Sequence, residues 1–229
     1  TSYTDPAILL VGLYHDGAQK TITPYTKDWN PVWKFLSGMG WDGMPPVIDN
    51  KNPNRLLASG QEGVWRYSPD GFSTSTSISS YKSAYFETRG VLNKSNPQIF
   101  YRDKFSYSGS TYEDIYRSIG LPTGQNSFIS NFLSFLPNSI DIDILGLKSP
   151  FNNGNYLYAY LYNHIPGSNE AIFHLFRTTN VNAEPANVIW EELSIPKRSW
   201  ISGFDFDPVN PNIIYISYGS SSSSTQGEQ

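Results

Sequence analysis

The sequence predicts an all-β fold of about four to five four-stranded sheets stacked side by side, and three observations carry that expectation. Apolar runs are short and rich in Tyr, Ile, Val and Phe, and clusters of Gly, Pro, Asn and Ser separate them, as in antiparallel strands joined by turns. One segment recurs at an interval suited to a single small sheet. Two further segments follow it in a fixed order.

The recurring segment is clearest at Asp49-Asn50-Lys51-Asn52-Pro53-Asn54-Arg55-Leu56-Leu57, which aligns position for position with Asp207-Pro208-Val209-Asn210-Pro211-Asn212-Ile213-Ile214-Tyr215. Asn93-Lys94-Ser95-Asn96-Pro97-Gln98-Ile99-Phe100-Tyr101 is a third copy, and weaker ones begin at Asp5-Pro6 and Asn155-Tyr156. The equivalent apolar positions Leu10, Leu57, Tyr101, Tyr158 and Tyr215 lie 47, 44, 57 and 57 residues apart. One four-stranded blade occupies such an interval. A blade cannot bury both faces of its sheet alone, so copies must stack, and stacking around an axis yields a β-propeller. Asn-Pro-Asn suits the turn between the first two strands, because Pro presets φ and Asn tolerates left-handed backbone.

The second element reads aliphatic, aromatic, Arg, hydroxyl: Val64-Trp65-Arg66 with Ser68, then Ile115-Tyr116-Arg117-Ser118, then Leu175-Phe176-Arg177-Thr178. The third, Val32-Trp33-Lys34-Phe35-Leu36, returns as Ile189-Trp190-Glu191-Glu192-Leu193, with Leu133-Ser134-Phe135-Leu136 as a poorer copy. Residues 128–136 also have a spacing compatible with a short helix, so that copy is open between helix and strand. The expected units are 1–40, 41–84, 85–138, 139–198 and a partial 199–229. At roughly 50 residues per blade the expectation is an incomplete ring, with the remaining blades or domains of a parent protein as its partners.

Composition narrows the function. With 20 acidic against 16 basic residues and a net charge of −4, counterion release offers little to nucleic-acid binding. No Cys is present, so neither disulfides nor thiolate metal sites arise. No run approaches the roughly 18 apolar residues of a membrane span. The start at Thr1, without Met or a signal peptide, reads as a processed or excised piece. His15, His164 and His174 lack metal-ligand spacing, and no cofactor, metal ligand or catalytic residue is assigned. Asn93-Lys94-Ser95 matches a glycosylation sequon, a pattern expected by chance at this length.

Candidate chemistry gathers where innermost strands begin. Counting back from the repeats puts Asp42, Phe86 and Trp200 in one register. Trp41, Asp42, Tyr85, Glu87, Arg89, Asp141 and Trp200 then form a mixed aromatic and charged rim of the kind that stacks on and hydrogen-bonds sugars. The competing expectation is that the aromatics pack between blades. Paired carboxylates about 5 to 9 Å apart would suit a glycosidase, and Asp42, Glu87, Asp141, Asp143 and Asp205 are the candidates. Arg66, Arg117 and Arg177 occupy equivalent positions in successive blades, too far apart to converge on one carboxylate.

Gly63-Val64-Trp65-Arg66-Tyr67-Ser68-Pro69-Asp70-Gly71-Phe72 resembles the BNR or Asp-box repeat of sialidase-like, sortilin-like and xyloglucanase-like propellers. The family's box reads Ser-x-Asp-x-Gly-x-Thr-Trp; Ser68, Asp70 and Gly71 match it, and the Thr-Trp does not. Trp41-Asp42-Gly43 is similar to the Gly-Asp-Gly that opens the innermost strand in many bacterial exported members. The resemblance implies a hairpin-turn role for Ser68 and Asp70, and a secreted or cell-surface protein. Where a xyloglucanase-like member carries a catalytic Asp, this chain reads Ser59-Gly60-Gln61-Glu62-Gly63, a departure that speaks against hydrolysis. The expected function is therefore a non-catalytic binding or scaffold propeller, its ligand a glycan or surface protein. The alternatives are part of a glycoside hydrolase and a ligand-free segment of a secreted cargo.

Overall fold

The computed structural model describes residues 9–13, 17–21, 33–36, 42–80, 83–106, 109, 111–168, 171–195, 201–207 and 209–219. They form five antiparallel sheets in which each strand pairs with its neighbour in sequence. Blade 1 holds β1 (Leu10–Leu13), β2 (Gly17–Thr21) and β3 (Trp33–Phe35), and blade 2 holds β4 (Val47–Ile48), β5 (Leu56–Ser59), β6 (Trp65–Ser68) and β7 (Thr76–Ser77). Blade 3 comprises β8 (Gly90–Leu92), β9 (Ile99–Phe105), β10 (Glu113–Ile119) and β11 (Gln125–Phe128). Blade 4 comprises β12 (Asp141–Lys148), β13 (Leu157–His164), β14 (Ala171–Thr178) and β15 (Trp190–Leu193), and blade 5 pairs β16 (Ile201–Phe206) with β17 (Ile214–Tyr218). This is the blade architecture of a β-propeller.

The repeat is a hydrogen-bonded turn. Asn52 Oδ1 accepts the N–H of Asn54 at 3.1 Å, and its carbonyl accepts the N–H of Arg55 at 2.9 Å. Asn96 does the same with Gln98 and Ile99, Asn153 with Asn155 and Tyr156, and Asn210 with Asn212 and Ile213. One residue type thus caps the first hairpin of four blades by Asx-turn chemistry. Ahead of it, Asp49 and Asp207 each accept the N–H two residues on, at 2.8 and 2.9 Å.

The second strands of blades 2, 3 and 4 bury both faces because both faces meet another blade. Leu56 and Ala58 face blade 1, whereas Leu57 packs with Trp65, Leu92 and Phe100 toward blade 3. Tyr101 joins Ile142, Ile144 and Leu157 between blades 3 and 4, and Tyr158 and Tyr160 join Ile201 and Phe204 between blades 4 and 5. Polar staples cross these joints. Asn93 Nδ2 donates to Gly154 O at 2.7 Å, Trp190 Nε1 to Ile129 O at 2.7 Å, and Tyr158 Oη to Pro211 O at 2.9 Å.

The aliphatic-aromatic-Arg element is the third strand, and its arginines are committed to acceptors of their own or the next blade. Arg66 donates to Ser75, Arg117 to the carbonyls of Val181 and Ala183, and Arg177 to Glu191. The third element is the outer strand in blades 1 and 4, but not in blade 3. There the outer strand is β11, and Leu133–Leu136 belongs to a short helix, α1 (Phe132–Phe135). The helix prevails because it drives Phe132, fully buried, against Phe176 and Trp190 of blade 4. The copy at Asp5-Pro6, together with Trp41, Trp200 and His15, lies outside the described residues.

Candidate functional site

The starts of β4, β8, β12 and β16 share one side of the sheets, opposite the Asx turns. A bridge between Gly43 and Gly60 fixes Asp42 there, nearly buried at 7% exposure. Asp42, Phe86, Glu87 and Arg89 line a cavity of about 340 Å³. A larger one, about 830 Å³, shares Glu87 and Arg89 and is completed by Lys148, Tyr160, Phe204, Asp205 and Tyr215, among others.

Arg89 is the fixed point between the two. Its Nε donates to Leu145 O at 2.8 Å and Nη1 to Thr88 O at 3.3 Å, while Nη2 pairs with Glu87 and the backbone N–H reaches Asp103. Such a guanidinium is pre-organised, with most of its donors committed to protein. Across the larger cavity Lys148 sits 3.6 Å from Asp205 and 5.4 Å above the Phe204 ring. Phe86 and Tyr215 remain 46% and 59% exposed, leaving ring faces open for stacking.

Behind Arg89 lies a buried acidic cluster at the joint of blades 3 and 4. Glu113, fully buried, accepts the N–H of Tyr85 at 2.8 Å and that of Ile144 at 2.9 Å. Asp143 lies close enough to Glu113 and Tyr162 for each to act on its charge. Burial pushes Glu113 and Asp143 above the usual carboxylate range, and pushes Asp103 up to about 8 against the opposing pull of the Arg89 N–H and the Arg102 charge. Burial, with Asp141, Glu113 and Asp143 nearby, also raises the Tyr85 phenol.

Of the rim residues expected from sequence, Asp42, Glu87 and Arg89 come together. Tyr85 and Asp141 line neither cavity. Tyr85 Oη donates to Thr111 O at 2.7 Å, and Asp141 accepts from the backbone N–H of His164 at 3.0 Å and lies 2.9 Å from its Nδ1. Asp205 reaches the larger cavity and Asp143 the acidic cluster. Lys148, Tyr160, Phe204 and Tyr215 were not expected. Their signal was alternation along β12, β13, β16 and β17, which decides which side chains share a face.

The remaining motifs sit elsewhere. Ser68 Oγ donates to Asp70 Oδ1 at 2.9 Å and accepts the Phe72 N–H at 2.7 Å, and Asp70 accepts from Thr74 N–H and hydroxyl at 2.9 and 2.7 Å. Gly71, at φ +73°, donates to Asn54 O at 2.7 Å, so this turn lies at the end away from the rim. Glu62 sits at φ +57° in a turn that exchanges backbone bonds with Phe86 and Ser83. Among the described residues no group of three or more His, Asp or Glu is placed to hold a metal.

No protein-family model matches the sequence, and no curated protein matches it. Solved structures do. A Niastella koreensis glycoside hydrolase family 74 (GH74) enzyme aligns at TM-score 0.61 and 16% identity, over 93% of this chain and 33% of that one. An ancestral GH74 enzyme aligns at TM-score 0.63 and 15% identity, over 91% and 27%. The GH74 xyloglucanase from Xanthomonas campestris aligns at TM-score 0.64 and 13% identity, over 98% and 35%. The chain therefore spans about a third of the length of these structures. At such identities the likeness is one of fold, and the fold is a β-propeller.

Proposed function

We propose that this propeller binds glycan at the rim of its innermost strands, as a binding or scaffold module of a secreted or cell-surface protein. The observation that carries the reading is the joined pair of cavities: Asp42, Glu87 and a pre-organised Arg89 supply hydrogen bonds beside the open faces of Phe86 and Tyr215. Sugars are recognised by that mixture of stacking and directed polar contacts. The GH74 neighbours support a glycan over a surface protein as ligand. The Ser68–Asp70 turn supports an Asp-box type of repeat, and an exported protein is the setting in which such modules meet polysaccharide.

The experiment is a glycan array followed by calorimetry on the wild type and on Asp42→Asn, Glu87→Gln and Arg89→Ala. Loss of a charged hydrogen bond should weaken binding about 10-fold or more. Trp41→Ala and Trp200→Ala belong in the same panel. Binding that survives all five unchanged would place the ligand elsewhere.

Two acids on one cavity, Asp42 and Glu87, favour a second reading, that of a glycoside hydrolase. Release of reducing ends from a polysaccharide, abolished by Asp42→Asn while affinity persists, would establish it over simple binding.

A further inference from the structure

The joint between blades 2 and 3 contains a buried cation that makes no ion pair among the described residues, Asp103 acting on it only from the opposite face of its strand. Arg102 on β9 is 2% exposed, and neither its Nε nor its Nη1 meets an acceptor among the described residues. Its guanidinium carbon lies 4.9 Å from the Tyr116 ring centroid, and Lys104 Nζ sits 4.2 Å from the same ring, adding a second positive charge. Asp103, next in sequence, leaves the strand on the opposite face, because alternate side chains point to opposite sides of a sheet.

Trp65 of β6 contributes a third orphan donor from the blade 2 side of the same joint. Its Nε1 is buried and meets no acceptor among the described residues. Its ring packs on Phe100 at 4.9 Å, and Phe100 shares a β9 face with Arg102. Gly90 is the cross-strand partner of Arg102, and a Cβ there would meet Trp65 Cζ2 at 2.7 Å. The indole edge therefore lies over the residue that pairs with Arg102.

A guanidinium keeps its charge at any pH a protein survives. Burial lowers the Arg102 pKa against the opposing pull of Asp103 and Tyr116. Water would satisfy the N–H groups but not the charge, and a buried charge without an ion pair is costly. An anion does both, and the positive edges of the surrounding rings favour it.

We propose that the joint of blades 2 and 3 binds a small inorganic anion of the halide class, held by Arg102 and Trp65 Nε1 and serving as an interblade cement. It is independent of the glycan rim. The test compares thermal unfolding in chloride, bromide and gluconate at fixed ionic strength, with anomalous diffraction from bromide-soaked crystals. The expected result is a Tm about 2 to 4 °C higher in halide than in gluconate, with bromide within hydrogen-bonding distance of Arg102. Arg102→Met should erase the difference between salts. Should it fail to fold, Trp65→Phe keeps the cation, removes one donor and should weaken the halide dependence. Equal Tm in all three salts overturns the proposal: without bromide density the joint holds water alone, and with it an adventitious ion only.

Discussion

Asn93 uses all four of its hydrogen-bonding directions. Its Nδ2 donates to Tyr101 Oη at 2.9 Å and to Gly154 O at 2.7 Å, and its Oδ1 accepts from the N–H groups of Ser95 and Asn96 at 3.0 Å each. Asn93→Ala strands these groups in a site where Asn93 is 1% exposed. It should lower stability by about 2 to 3 kcal/mol, read from urea midpoints at constant slope. The sequon built on Asn93 is correspondingly out of reach, so folded protein exported through a glycosylating host should show no glycan mass there. Sequence could pair Asp42 with Glu87 and Arg89 because register determines which strand ends meet. It could not find Glu113 or Asp103. Both are ordinary acids within strands, and only the stacking of blade 4 on blade 3 buries them.

At the scale of elements, the first hairpins and third strands were legible because each repeats a local chemistry: an Asx turn, or an aromatic followed by Arg. The outer strands of blades 2 and 3 were not. β7 and β11 have no position in full burial, so nothing in their pattern distinguishes them from loop. The segment Leu133–Leu136, open between helix and strand in the sequence, shows the consequence. Its apolar residues serve contacts with blade 4 rather than a strand pairing. Phe132→Ala should cost about 3 to 5 kcal/mol by opening a cavity between blades 3 and 4. Leu133→Ala, a partly buried neighbour, should cost clearly less. Equal losses in thermal denaturation would contradict the plug-like role of Phe132.

Across the whole molecule, the acidic cluster ties stability to pH. Glu113, Asp143 and Asp103 bind protons more tightly folded than unfolded, so their contribution is complete below the ordinary carboxylate range, near about 4. It is lost as pH rises through the raised values, about 8 for Asp103. Among the groups facing the cluster, Arg89, Arg102 and Tyr162 pull these values down while Glu87 adds to the rise of Asp143, so the upward shift is tempered without being reversed. Asp70 and Asp207 act in the opposite sense, since hydrogen bonds from Thr74 and from Asn210 hold them below the usual range and their contribution fades in acid. Tm should therefore fall by about 5 °C or more between pH 5 and pH 8.5. Glu113→Gln, which retains an acceptor but cannot titrate, should flatten that slope; an unchanged slope would remove Glu113 from the account.

The Asx turns have a further consequence for synthesis. Their hydrogen bonds close within about six residues, so each first hairpin can form as soon as it leaves the ribosome, before the next blade exists. The second strands of blades 2, 3 and 4, buried on both faces, are the segments most prone to intermolecular aggregation. A turn that pairs them at once with their innermost neighbour shortens the time in which a nascent chain offers them to another. The repeated asparagine would then guard the yield of folded protein as well as its shape.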